Sequence, residues 1–313
     1  MNGTSYTVSR SYYYTLCLLG LLCFDVKSQD IGDHSSQTSK LYFGQKHPAL
    51  TPEIFAPDII SKSDRYEFGC TMTKDGSEFY FGVDNEGTTE IYQTLLINGT
   101  WTPEKKLFQG NTYGHNDPML SNDENKLFFI SNRPKSDKDG EGDIDIWYAN
   151  REGKNWSDPV NVGPPINSEV DEYYISFSSD GTMYFSSRDK SEDAPGSSFD
   201  IYSSKWVNGE YATPKRLPEN INTESYEADV FIAPDESYLI FCSIRKNGLG
   251  RGDLYISFKD NDGHWKEAVN MGSVINSENH ELCPYVSPDG KFFFYTSNQD
   301  IYWVSTEIFE NYK

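Results

Sequence analysis

The chain has 313 residues, of which 36% are hydrophobic and 15% aromatic, with a net charge of −21. That much negative charge repels nucleic acid and anionic membrane surfaces, because phosphate binding needs clustered Lys and Arg. It attracts cations or basic partners, although acidity also simply keeps an exported protein soluble.

Residues 1–28 read as an export signal. Arg10 supplies a positive start, Tyr12 to Phe24 an apolar stretch, and Val26-Lys27-Ser28 a small-residue cleavage site before Gln29. The stretch is short for a membrane span, and Leu22 before Cys23 disfavours a lipid anchor. The mature chain would keep 25 basic and 47 acidic residues, a net charge of −22. A secreted or periplasmic location is expected, without membrane insertion. Residues 29–40 are expected to form a flexible segment and 41–313 a single domain. Cys17 and Cys23 leave with the signal. Cys70, Cys242 and Cys283 have no metal-type spacing and read as buried free thiols.

Within 41–313 one unit recurs five times. Turns headed by Asp75, Asp123, Asp180, Asp235 and Asp289 lie 48, 57, 55 and 54 residues apart. An aromatic or apolar run follows each, such as Phe79-Tyr80-Phe81 and Phe292-Phe293-Phe294-Tyr295, which is a hairpin signal. A third element follows: Glu90-Ile91-Tyr92, Asp145-Ile146-Trp147, Asp200-Ile201-Tyr202, Asp253-Leu254-Tyr255 and Asp300-Ile301-Tyr302. A fourth begins with Trp101, Trp156, Tyr211 or Trp265. Four strands per unit of this length is the blade pattern of a propeller. The last unit ends without its fourth strand, while Thr51-Pro52-Glu53-Ile54-Phe55-Ala56-Pro57 resembles the outer strand found elsewhere. The expected fold is therefore all-β: a five-bladed propeller of four-stranded antiparallel blades. Residues 51–57 complete the last blade and remove its exposed edge.

The turn with its following Phe or Tyr, together with Ser131-Asn132-Arg133, Ser187-Arg188 and the Asp-Ile-Tyr elements, resembles the TolB-like, WD-repeat-like β-propeller repeat over roughly residues 41–305. Leu41-Tyr42-Phe43-Gly44-Gln45 is similar to a segment of secreted single-domain members found in Bacteroidetes-type bacteria. The resemblance implies the fold firmly. For function it implies only a range, since family members bind proteins, carry peptidase or outer-membrane-anchoring domains, or in relatives cleave sugars.

The first strand of each blade should line the central channel. Eight residues before each turn aspartate stands a column of Glu67, His115, Glu172, Glu227 and Glu281. Two residues later stand Gly69, Asp117, Tyr174, Asp229 and Cys283. A period of two would keep both columns on one face, with Tyr66, Asp171, Tyr173, Tyr226 and His280 beside them. The candidate ligand-binding set is Glu67, His115, Asp117, Glu172, Tyr174, Glu227, Asp229, His280 and Glu281. Crowded carboxylates need neutralising. Three readings stay open: a binding site at the acidic channel mouth for a glycan, a protein segment or a cation; a glycan-cleaving pair, hydrolase or lyase; and an inert structural ring of an envelope-associated protein. A monomer is expected, with no cofactor; a hard cation such as calcium is an ion the column could take. A second acidic run, Asp137 to Asp145, alternates like a calcium loop but has Tyr148 in place of the closing carboxylate, so it reads as a solvated loop. Gly-x-Ser-x-Gly does not occur.

Overall fold

A computed structural model describes residues 40–109, 113–135, 142–188 and 198–313. The export signal, residues 29–39 of the expected flexible segment and residues 137–141 of the second acidic run lie outside the described residues. The strands form five small antiparallel sheets arranged as the blades of a propeller. The inner three strands of blade 1 are Tyr66–Met72, Glu78–Asn85 and Thr88–Ile97. Blade 2 repeats them as His115–Leu120, Lys126–Ser131 and Asp145–Glu152. Blade 3 uses Glu172–Phe177, Met183–Arg188 and Phe199–Ser204. Blade 4 uses Tyr226–Ile232, Tyr238–Ile244 and Asp253–Phe258. Blade 5 uses Leu282–Val286, Phe292–Ser297 and Asp300–Ser305.

The hairpins form where the sequence offers turn chemistry. Each turn aspartate accepts local hydrogen bonds, as when Asp180 Oδ1 takes the Ser178 hydroxyl at 2.6 Å and the Thr182 N–H at 3.0 Å. These bonds hold Asp180 down to about 2 and lower Asp123 and Asp235 as well. The residue after each aspartate is left-handed in all five turns: Gly76, Glu124, Gly181, Glu236 and Gly290. Glycine therefore marks three of the turns, while the aspartate marks all five.

The ring closes as the sequence suggests. Glu53–Ile54 pairs antiparallel with the last strand, Glu53 opposite Trp303 and Ile54 opposite Tyr302. Gln45 clamps this strand, its side chain bonding the Ile54 carbonyl at 2.8 Å and the Ala56 N–H at 2.7 Å. Phe55 and Trp303 are fully buried beside it, their rings 5.2 Å apart. The three cysteines are free and buried. No helix among the described residues is long and apolar enough to cross a membrane.

Candidate functional site

The two columns reach different places. The glutamates turn into the seams between blades. Glu227 Oε2 accepts the Thr223 N–H at 2.9 Å, and its Oε1 accepts the Thr223 and Ser243 hydroxyls at 2.7 and 2.8 Å. Glu281 repeats this with Ser277 and Ser297, and Glu172 with Ser168 and Ser187. Glu67 uses the Lys62 N–H and the Arg65 guanidinium. All four carboxylates are buried to 1% exposure or less. Just ahead of the Ser or Thr sits an asparagine that binds the preceding blade. Asn167, Asn222 and Asn276 each bond both the N–H and the carbonyl of one residue there: Ile146, Ile201 and Leu254. Ser61 holds Ile301 in the same way. The repeated Asn-Ser/Thr…Glu arrangement is a latch from blade to blade. Burial raises Glu67 and Glu172 to about 7 despite their hydrogen bonds.

His115 takes the column's place in blade 2. It packs between Phe108 and Phe129, with ring centroids 5.1 and 5.4 Å away, and its Nε2 has no partner. Burial lowers it to about 4, so it is neutral at physiological pH. His280 is half-buried, with Nε2 3.4 Å from Cys242 Sγ. Burial first, then the Arg251 charge, lowers its pKa.

The second column lies at the channel axis. Gly69, Asp117, Tyr174, Asp229 and Cys283 all have φ between 46° and 54°, and strand pairing slips at each of them. This is a β-bulge repeated in every blade. The left-handed residue breaks the alternation of the strand, so the two columns do not share a face as a simple period of two would have it. Tyr174 reaches from blade 3 to blade 5, its hydroxyl donating to the Pro284 carbonyl at 2.9 Å. Asp117 Oδ1 is 3.5 Å from Cys283 Sγ. A Cβ on Gly69 would lie 2.9 Å from that same oxygen, so glycine here makes room for the carboxylate. Asp229 accepts a backbone hydrogen bond from Cys283.

Asp117 and Asp229 are 6% and 8% exposed. Burial raises both carboxyls, and the charge of Asp229 raises Asp117 further. Around them stand half-buried Tyr66, Tyr173 and Tyr226, whose phenols are pushed up by burial and also by Asp229. Phe199 bridges two of these rings, 5.0 Å from Tyr173 and 5.6 Å from Tyr226. The structure thus gathers Asp117, Tyr174 and Asp229 of the candidate set at the axis, and holds Glu67, Glu172, Glu227 and Glu281 in the seams. Sequence reasoning gave no role to Cys283 or Gly69. The available signal was variation: the axial column changes from blade to blade, while the latch column repeats.

Two carboxylates, with Tyr174 already committed, fall short of the roughly six to eight oxygens that calcium takes. In the second acidic run, Asp143 and Asp145 lie 3.4 and 3.2 Å from Lys135, and Asp145 also accepts from Asn161. Asp260, Asp262 and His264 converge in an exposed outer turn, where Asp260 Oδ1 already accepts two backbone N–H groups. Two sizeable cavities lie elsewhere. One of about 380 Å³ occupies the channel end ringed by the aspartate turns. Another of about 700 Å³ opens between blades 2 and 3.

No protein-family model matches the sequence, and no curated protein does. Solved structures do. TolB from Acinetobacter baumannii is 16% identical over 79% of this chain, with a TM-score of 0.49. The chain spans 56% of that TolB chain. Kuenenia stuttgartiensis hydrazine synthase matches 77% of this chain and 38% of its own at 13% identity, with a TM-score of 0.51. An α-L-arabinofuranosidase from Podospora anserina matches 82% of this chain and 97% of its own at 10% identity, with a TM-score of 0.49. At 13% identity the likeness to hydrazine synthase is one of fold alone and leaves function to the site.

Proposed function

We propose that the protein is an exported, monomeric binding propeller that takes its ligand at the channel mouth in front of Asp117 and Asp229. One observation carries this reading. Two neighbouring carboxylates are buried together, and no Lys, Arg or His among the described residues forms an ion pair with either. A ligand that brings an amine, a guanidinium or hydroxyl donors would satisfy both. The tyrosines at the rim add amphipathic surface suited to a protein segment or a glycan. The latch glutamates fit a structural part, because their oxygens already accept several bonds each.

The same pair favours a second reading, glycan cleavage. Repulsion between adjacent buried carboxyls keeps one protonated while the other ionises, which is how paired acids divide acid and base roles.

The test uses the full mature chain, a panel of polysaccharides and an oligo-arginine peptide, with thermal shift and released reducing ends read together. A thermal shift without cleavage, lost in both Asp117→Asn and Asp229→Asn, is expected. Reducing ends that appear with wild type and vanish in both variants would establish cleavage instead. No shift with any probe, or a shift that both variants retain, would overturn the channel-mouth site.

A further inference from the structure

The five seams between blades are built alike, and on the face carrying the aspartate turns the structure closes four of them. At the seam between blades 5 and 1, the segment Leu41–Gly44 inserts as a tight turn. Tyr42 packs on Phe294 and Trp303, with centroids 6.4 and 5.4 Å away, and Phe43 stacks on Trp101 at 4.2 Å. The space left there is about 10 Å³. At the seam between blades 4 and 5, the C-terminal turn Thr306–Tyr312 does the same. Phe309 lies 5.3 Å from Tyr238 and 5.4 Å from Phe293, and the Tyr312 hydroxyl bonds the Met271 carbonyl at 2.7 Å. Side chains close two more seams. Arg151 covers Trp156 at 4.5 Å and pairs with Glu78 between blades 1 and 2. Glu236 joins Tyr184 to Lys259 between blades 3 and 4.

Among the described residues, nothing covers the fifth seam, between blades 2 and 3. Its groove of about 700 Å³ falls within the roughly 300–1,000 Å³ of small recognition sites. Phe128 and Tyr148 form one wall, at the strand positions that Phe294 and Trp303 occupy in blade 5. Tyr211 stands where Trp101 stands in blade 1, at the end of the outer hairpin. Trp206 packs edge-on against Tyr211 at 4.6 Å and is 48% exposed, the one exposed tryptophan of the chain's six. An exposed aromatic groove on a soluble protein marks an interaction site. Asp123, Asp180 and Glu210 line it, and Lys126, the single cation among the described lining residues, already sits 3.9 Å above the Tyr148 ring.

We propose that this groove docks a peptide segment of a partner protein, carrying adjacent aromatic residues in a tight turn with basic flanks. The chain's own segment is the template for the occupant. Lys40-Leu41-Tyr42-Phe43-Gly44-Gln45-Lys46 has two neighbouring aromatics between lysines and fills the equivalent wedge. The aromatic rings take the wall positions, and the lysines face the acidic rim. This site is separate from the channel mouth and stands or falls without it.

The experiment uses a fluorescently labelled peptide of residues 40–46 and the full mature chain, read by anisotropy to millimolar protein. Saturable binding is expected, weakened at least tenfold by Trp206→Ala, abolished when both peptide aromatics become serine, and unchanged by Asp229→Asn. Because Trp206 is solvent-exposed, an unchanged melting temperature checks that its variant is folded. Tyr211→Ser provides a second wall variant. Binding indifferent to both Trp206→Ala and Tyr211→Ser, or no binding at all, overturns the proposal. So does a Trp206-dependent interaction found with a soluble neutral polysaccharide and not with the peptide.

Discussion

Two acidic columns run along the innermost strands only two residues apart, and they behave as opposites. In the latch column Glu172, Glu227 and Glu281 each accept bonds from a Ser or Thr and its neighbours, one blade repeating the next, and Glu67 is supplied by the Lys62 N–H and Arg65 instead. In the axial column the backbone turns left-handed, the residue type changes at every blade, and two aspartates lie buried with few partners. Both columns are buried, so burial does not separate structure from function here. What separates them is satisfaction: a carboxylate supplied with donors from its own chain holds the ring together, and one left short of donors is poised for something else.

The largest expected effect is on the latch. Glu227→Ala leaves the Thr223 N–H, two hydroxyls and the Arg245 guanidinium without their acceptor. Removing one partner of a buried pair costs about 3–5 kcal/mol. Urea unfolding should report a loss of that order, and a loss below about 1 kcal/mol would contradict the latch. Next in size is the fit at the axis. Gly69→Ala puts a Cβ 2.9 Å from Asp117 Oδ1. The cost should be about 2 kcal/mol, combining left-handed strain with the contact. Four other blades carry a side chain at this same φ, so the contact should dominate. In an Asp117→Gly background the Gly69→Ala penalty should shrink by about 1 kcal/mol or more in a double-mutant cycle; purely additive losses would put the effect in the backbone alone.

The same comparison explains what could be read in advance. Five blades and the composite last one were legible, because the aspartate turns and the aromatic runs repeat and Thr51–Pro57 resembles an outer strand. The candidate site was half legible. Counting back from each turn found both columns, but a constant count assumes an unbroken strand. The bulge at Gly69, Asp117, Tyr174, Asp229 and Cys283 violates that assumption. Its sequence gives no warning, since four of the five left-handed residues are not glycine. The open seam was invisible for another reason. Trp206 and Tyr211 look like any outer hairpin, and only the packing of Phe43, Phe309, Arg151 and Lys259 elsewhere reveals that this seam lacks a cover among the described residues.

The smallest expected effect bears on the axial pair alone. Asp117 and Asp229 have folded-state pKa values raised above the unfolded value, by burial first and for Asp117 by its neighbour's charge too. Such groups hold protons in the folded chain that the unfolded chain has released, so their contribution to stability grows as pH falls from neutral and levels off near about 4. Other groups oppose this. His115, lowered to about 4, favours unfolding as pH drops below its ordinary range, and the turn aspartates do so at still lower pH. Comparing wild type with Asp229→Asn cancels those shared slopes. The variant removes one buried carboxylate and the repulsion on Asp117. It should therefore be more stable than wild type at pH 8 by on the order of 1 kcal/mol, one pKa step, with the advantage fading toward pH 4.5. Melting temperatures across that range decide it. An advantage independent of pH would mean that Asp229 acts through packing and not through its charge. The axial column would then differ from the latch column in shape alone.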